Sequence, residues 1–174
     1  MSLIINDHDR TIVAELLERN IISEINPDDY QKMQDGSVAV VCADGDQYYF
    51  TYNALTALAM HHRTGQPRIH PLNRNGGILS MNRKKVDRES LVGEIQESPR
   101  LKGVRIILVV LHVPCAVAYG NKWSLHDVIN FAIADVQYLY EHGVYQEIKF
   151  LLQVDFDHNN KKLFAFNEIS YLKQ

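Results

Sequence analysis

Apolar residues in this sequence alternate between a helical spacing and uninterrupted runs. A first helix is predicted over about residues 9–20, where the apolar residues form one stripe and the opposite face is charged. A second helix is predicted after Tyr48, and a third runs from Asp87 to a stop at Pro99. A fourth, long helix begins with a capping-box pattern at Ser124. The stripe of the first helix consists of Ile12, Val13, Leu16 and Leu17.

Apolar runs between these helices predict strands. Ser37 to Ala43 and Val104 to His112 suit strands that are buried on both faces of a parallel sheet. A shorter strand over Arg68 to Leu72 contains a proline and is therefore predicted at an edge. After a strand over Glu147 to Val154, Leu163 to Phe166 returns antiparallel as a hairpin. We predict an α/β fold: a mostly parallel central sheet flanked by helices, with a C-terminal antiparallel hairpin strand.

Length, composition and charge narrow the class of protein. With 174 residues, 46% of them hydrophobic, the chain is expected to form a single domain over residues 1–174. A formal charge of −3 argues against nucleic acid as a partner. The most apolar stretch, Val104 to Ala118, carries Arg105 and is too short to span a membrane, and the N-terminus turns acidic before a signal-peptide core could form. We expect a soluble, cytoplasmic protein.

Three side chains that bind metals stand at the ends of the two strongest strands. Cys42 lies where the first strand ends, and His112 and Cys115 lie where the other strand ends, three residues apart. If these strands are neighbours, the three side chains meet at the carboxyl edge of the sheet, where α/β folds place their sites. Two thiolates and an imidazole are a typical zinc set, and Asp44 could occupy the fourth position.

The same residues also have simpler interpretations. A cysteine at the end of a valine-rich strand is commonly a small core residue, and a buried histidine is often satisfied by the backbone. A disulfide between Cys42 and Cys115 is a further alternative, although a cytoplasmic setting disfavours it.

Three motifs in order resemble the β-class carbonic anhydrases. They are Cys42-Ala-Asp44, Arg74-Asn-Gly-Gly77 and His112-Val-Pro-Cys115. The family pattern is C-x-D-x-R, then R-N-x-G-G or R-N-x-G-N, then H-x-x-C-G. The resemblance covers most of the chain from Val38 onward, including the closing hairpin.

This resemblance implies a site and a reaction. Cys42, His112 and Cys115 would hold Zn²⁺, and Asp44 would gate the metal or close it as a fourth ligand. The implied enzyme is a lyase that interconverts carbon dioxide and bicarbonate through hydroxide generated at zinc. Arg74 is then a candidate to restrain Asp44. Asn75, Gly76 and Gly77 are the candidate substrate-pocket residues.

The sequence also departs from the family pattern. Asp46 stands where the family has the arginine that pairs with the aspartate, and Pro114 and Ala116 flank the second cysteine. Losing that charge-assisted pair favours a closed site with Asp44 on the zinc. Two alternatives therefore stay open. One is a zinc-stabilised relative without catalysis that serves binding or assembly, and the other is a hydrolase of another small linear substrate such as carbon disulfide or carbonyl sulfide.

The resemblance further implies a homodimer or higher homo-oligomer, with the helix over residues 9–20 as a dimer arm. The apolar residues near the N-terminus are more numerous than a lone helix needs, which is compatible with that role. They are Ile12, Val13, Leu16, Leu17, Ile21 and Ile22.

Overall fold

The computed structural model describes residues 4–25, 35–59, 63–82, 84–144 and 147–167. Within these ranges helices and strands alternate along the chain. In order they are α1 (Asp7–Glu18), β1 (Ile22–Glu24), β2 (Ser37–Cys42), α2 (Gly45–Leu58), β3 (Ile69–Arg74), a 3₁₀ helix (Gly77–Asn82), α3 (Lys85–Lys102), β4 (Ile106–Val113), α4 (Ala116–Asn121), α5 (Leu125–Glu141), β5 (Glu147–Asp157) and β6 (Asn160–Phe166).

The six strands within the described ranges form one mixed sheet in the order β1-β6-β5-β4-β2-β3. Strands β5, β4, β2 and β3 run parallel to one another. Strand β6 returns antiparallel to β5, and β1 pairs antiparallel with β6. The predicted fold class is therefore confirmed. Strand β3, which contains Pro71, lies at the predicted edge, where a proline need not donate to an outer partner.

Helices cover both faces of the sheet because β2 and β4 are apolar on both sides. On one face, Leu55 and Leu58 of α2 cluster with Val41 and Val110. Apolar residues of α1, α3 and α5 cluster with the opposite face, and that core is the larger one. Among the described residues, no helix combines the length and apolar character needed to cross a membrane.

The predicted stop of α3 at Pro99 is wrong, because the helix continues through it to Lys102. A proline within the last turn removes only one backbone hydrogen bond of the helix. The end is instead set by Gly103, whose φ of +66° is left-handed and whose N–H caps the carbonyl of Pro99. Asp87 lies in the first turn, after an N-cap at Lys84.

The short elements β1, α4 and the 3₁₀ helix were not predicted.

Most of the apolar surface near the N-terminus is used within the chain. Of the six residues considered for a dimer arm, Leu17 is 39% exposed. The others are at most 5% exposed: Ile12, Val13, Leu16, Ile21 and Ile22. The homo-oligomer therefore stays a prediction, and its contact surface would have to come from other residues besides these five.

Helix α5 begins with the predicted capping box of Ser124 and Asp127 and carries one buried carboxyl group. Asp135 is 2% exposed, and Asn82 Nδ2 donates to its Oδ2 at 2.5 Å. Burial raises the pKa of Asp135 to about 7, and this outweighs Asn82 and the charge of Arg88, which both lower it. The folded chain therefore binds a proton here at pH values where an unfolded aspartate is ionised.

We predict that Asp135→Asn flattens the pH dependence of stability. Between the unfolded pKa near 4 and the folded value of about 7, the folded chain binds more protons than the unfolded chain. The free energy of unfolding therefore falls as pH rises through this window, by up to about 1.4 kcal/mol per pH unit. Urea unfolding at pH 5 and pH 8, with a chelator present, measures the slope. Equal slopes for the two proteins would contradict this assignment.

Candidate metal centre

The parallel pairing of β2 with β4 brings the predicted ligands together. Cys42 is the last residue of β2, His112 is the next-to-last residue of β4, and Cys115 directly precedes α4. The two Sγ atoms and a His112 ring nitrogen all lie within 4.8 Å of one another. Both cysteines are free, so the disulfide alternative is wrong.

The donor set fits a zinc ion. His112 is 5% exposed, and neither of its ring nitrogens has a hydrogen-bond partner among the described residues. A buried polar atom without a partner costs about 1–3 kcal/mol, and a metal bound to the imidazole would satisfy one nitrogen. Two cysteines and one histidine are a set that tetrahedral zinc accepts, with one position left for water or another ligand.

Electrostatics at the two cysteines also favour a bound cation. Contact with the Cys115 thiol lowers the pKa of Cys42 most, and His112 lowers it further against the effect of burial. The hydrogen bond to Cys42 raises the pKa of Cys115, and burial adds to the rise. The two pKa shifts have opposite directions, so this geometry favours a single thiolate, at Cys42. A second thiolate requires a nearby positive charge, which a divalent cation supplies.

Asp44 lies at the start of α2 rather than among the clustered ligand atoms. It is the N-cap residue, and its Oδ1 accepts the N–H of Asp46 at 3.1 Å. The group of mutually close ligand atoms among the described residues consists of Cys42, His112 and Cys115. Coordination of the metal by Asp44 therefore stays a prediction. Asp46, at the position of the family arginine, is exposed in the first turn of α2.

Arg74 is engaged elsewhere. It ends β3 directly alongside Cys42 in the parallel register. Its Nη2 donates to Ser90 Oγ at 2.9 Å and also pairs with the carboxylate of Glu94, both on α3. The arrangement attaches the end of β3 to α3, and the restraint of Asp44 by this guanidinium remains a prediction.

The glycine loop after β3 supports Cys42 from behind. Gly76 N–H donates to Cys42 Sγ at 3.2 Å, and Gly76 and Gly77 have φ of +87° and +58°. A Cβ on Gly77 would lie 3.1 Å from the backbone nitrogen of Cys42. Both glycines are buried, and of the three predicted pocket residues it is Asn75 that lines the cavity beside Cys42. The two glycines therefore position Cys42, and only Asn75 of the three faces this cavity.

Two cavities border the cluster. The larger, of about 670 Å³, is lined in part by Cys42, Asp44, Asp46, Asn75 and Asn121. The smaller, of about 170 Å³, touches His112 and Cys115, and many of its remaining walls are apolar. Its apolar lining includes Val113, Leu125 and Val128.

Sequence reasoning missed a buried polar cluster beside this site. Gln153 and Asp155 alternate with apolar residues near the end of β5 and are buried on the face that α2 covers. Gln153 lies directly opposite His112 in the parallel register. Polar residues at alternate positions of an otherwise apolar strand are the signal that could have revealed the cluster.

Comparison with known proteins adds a likeness in structure. No protein-family model matches the chain, and no curated protein matches it. A carbonic anhydrase from Streptococcus mutans aligns with a TM-score of 0.48 and 14% identity over 95% of this chain and 100% of that one. The β-carbonic anhydrase of Aspergillus fumigatus aligns with a TM-score of 0.48 and 11% identity, over 95% of this chain and 91% of that one. Isoform I of the β-carbonic anhydrase of Trichomonas vaginalis aligns with a TM-score of 0.44 and 16% identity, over 93% of this chain and 98% of that one. All three are carbonic anhydrases.

We predict that Cys42→Ser, His112→Ala and Cys115→Ser each weaken zinc binding by more than about 100-fold. The removal of a direct ligand should exceed the tenfold to hundredfold loss typical of residues that only orient ligands. Competition with a chromophoric chelator under reducing conditions measures the affinity, and elemental analysis gives the zinc content. His126→Ala, on an exposed position of α5, is the matched control. A wild-type chain without stoichiometric zinc would refute the assignment.

We predict that Gly77→Ala destabilises the fold and weakens zinc binding about tenfold. A left-handed alanine costs about 1–2 kcal/mol, and its Cβ would push against the backbone of Cys42. Gly93→Ala is the control, because it lies within α3 with no atom within 4 Å of the added Cβ. That change should stabilise the chain by about 0.5–1 kcal/mol. Urea unfolding and chelator competition would detect both effects, and a Gly77→Ala variant that behaves like wild type would disprove the supporting role.

Proposed function

We propose that this chain binds zinc through Cys42, His112 and Cys115 and catalyses the reversible hydration of carbon dioxide to bicarbonate. The observation that supports it is the approach of these three side chains to within 4.8 Å at the carboxyl edge of the sheet. The ordered motifs that resemble the β-class carbonic anhydrases contain the same three residues. When bound, zinc would lower the pKa of a coordinated water toward neutrality and so supply hydroxide.

The two cavities suit the substrate and the product differently. The smaller one is mostly apolar and touches His112 and Cys115, which favours a small uncharged molecule such as carbon dioxide. The larger one carries the Asn75 and Asn121 amides, which can donate hydrogen bonds to an anion. Asp44 and Asp46 in its wall would repel a retained bicarbonate and favour its release.

A second candidate function is a zinc-stabilised protein of the same fold without turnover. Asp46 at the position of the family arginine favours it, since a carboxylate there cannot pair with Asp44. If Asp44 moved from the helix cap to the metal, the site would be four-coordinate and closed to water.

Stopped-flow carbon dioxide hydration from about pH 6 to pH 9, with zinc-loaded protein, tests the proposed reaction. We expect a rate above buffer that rises with pH and is abolished by His112→Ala. A rate equal to buffer throughout would reject the lyase and leave the non-catalytic candidate. Parallel assays with carbon disulfide and carbonyl sulfide would identify a hydrolase of either molecule by its products.

We predict that Asp46→Arg raises kcat/KM by up to about fivefold. A pair between Asp44 and an arginine introduced at this exposed position is worth at most about 1 kcal/mol, and it would hold the carboxylate away from the metal. Asp46→Ala is the control, because it removes the negative charge at this position without adding a partner for Asp44. It therefore measures how much of any gain comes from relieving the repulsion between the two carboxylates and not from pairing. No gain for the arginine variant over the alanine variant would eliminate the missing pair as a limit on activity.

A further inference from the structure

A buried polar cluster joins α2 to the C-terminal hairpin next to the metal centre. We call it the α2–hairpin network, and its members are Gln47, Thr51, Gln153, Asp155 and Lys161. The first four are at most 5% exposed, and the Lys161 side chain is 18% exposed. None of these residues belongs to the predicted metal set, and the proposed reaction gives them no role.

Lys161 is at the centre of this network. Its Nζ donates to Asp155 Oδ2 at 2.7 Å, to Gln47 Oε1 at 2.9 Å and to the carbonyl oxygen of Asp46 at 3.3 Å. These three acceptors match the three N–H donors of an ammonium group. Gln153 Nε2 completes the connection by donating to Gln47 Oε1 at 2.8 Å and to Asp155 Oδ1 at 3.1 Å.

Such an arrangement is not explained by stability alone. Asp155 is buried, and the Lys161 side chain is 18% exposed. Taking charged groups out of water costs free energy, and well-packed apolar residues would commonly serve a core as well or better. An ion pair with this many hydrogen bonds does, however, define a geometry, because each donor must meet a particular acceptor. The defined element here is the first turn of α2, to which Asp46 and Gln47 belong.

That turn also holds Asp44. The N–H of Asp46 donates to Asp44 Oδ1, while the carbonyl oxygen of the same residue accepts from Lys161. Asp44 is two residues from Cys42 and lines the same cavity. A carboxylate so close to a thiolate ligand can itself close a tetrahedral zinc site, unless another contact occupies it.

We propose that Lys161 is a positioning residue: it anchors the first turn of α2, keeps the Asp44 carboxylate on the helix cap, and so leaves the fourth position of the metal open. The inference rests on the metal-binding part of the proposed function. Gln153 couples the network to the other ligand strand, because it lies opposite His112 in the sheet.

The test removes the ion pair without leaving a buried lone charge. Lys161→Met combined with Asp155→Leu does so, since it replaces both partners by apolar residues of similar size. Lys161→Arg keeps the positive charge and the donors and should behave like wild type. Lys162→Met is the matched control, because Lys162 is the next residue of β6 and its pair with Glu24, at 2.9 Å, is exposed.

The first readout is thiocyanate binding to the cobalt(II)-substituted protein, followed by visible absorption. Wild type, Lys161→Arg and Lys162→Met should bind thiocyanate at the open position, whereas the double variant should bind it at least about tenfold more weakly. Adding Asp44→Asn to the double variant should restore binding, because the amide is a poorer ligand. Equal affinities in wild type and the double variant would overturn the proposal, and so would a loss that Asp44→Asn fails to restore.

The second readout needs no metal. In metal-free protein, the amide proton of Asp46 should exchange with solvent faster in the double variant than in Lys162→Met. Unchanged exchange would overturn the anchoring role. Failure of wild type to bind zinc or cobalt, or to hydrate carbon dioxide, would count against the proposed function instead. If the zinc protein is active but wild type and the double variant bind thiocyanate equally well, this inference is refuted and the proposed function stands.

Discussion

The candidate site depends on the parallel pairing of β2 with β4. In a parallel pair both carboxyl ends lie at the same edge, so Cys42 and the segment from His112 to Cys115 meet although about seventy residues separate them along the chain. The pairing is possible because both strands are apolar on both faces and helices cover each side. An antiparallel arrangement would place the cysteine and the histidine at opposite edges.

Local features around this edge favour ligand geometry over stability. His112 is buried and neither ring nitrogen has a partner among the described residues, and Gly77 is in a left-handed conformation against Cys42. The half-buried Lys161 ammonium pairs with buried Asp155 under α2. Each feature has a cost in free energy that an apolar core would avoid. Their concentration at one edge of the sheet is the pattern expected of a functional site.

The Asp44 carboxylate, beside the three candidate metal ligands, has two possible partners that exclude each other: a backbone N–H of α2 and a bound metal. As a helix cap, Asp44 satisfies a backbone N–H that would otherwise lack a partner at the start of α2. As a metal ligand it would neutralise zinc charge and exclude water. Under the proposed role of Lys161, the balance depends on how firmly the first turn of α2 is held. Residues of the β5–β6 hairpin, remote from the candidate ligands in sequence, would then influence the fourth position of a bound metal.

The sequence by itself determined the types of the longer helices and strands, the mostly parallel sheet with its closing hairpin, and the metal ligands as candidates. Apolar runs such as Val38 to Val41 are local signals of buried strands, and cysteine or histidine at a strand end is visible without a fold. The predicted end of α3 at Pro99 is wrong, because a proline is tolerated in the last turn and the left-handed Gly103 ends the helix. Only the tertiary structure decided that Arg74 pairs with Glu94, that Gly77 supports Cys42, and that Lys161 reaches the carbonyl of Asp46. These contacts join residues distant along the chain, and their side chains carry no periodic pattern from which the partner could be inferred.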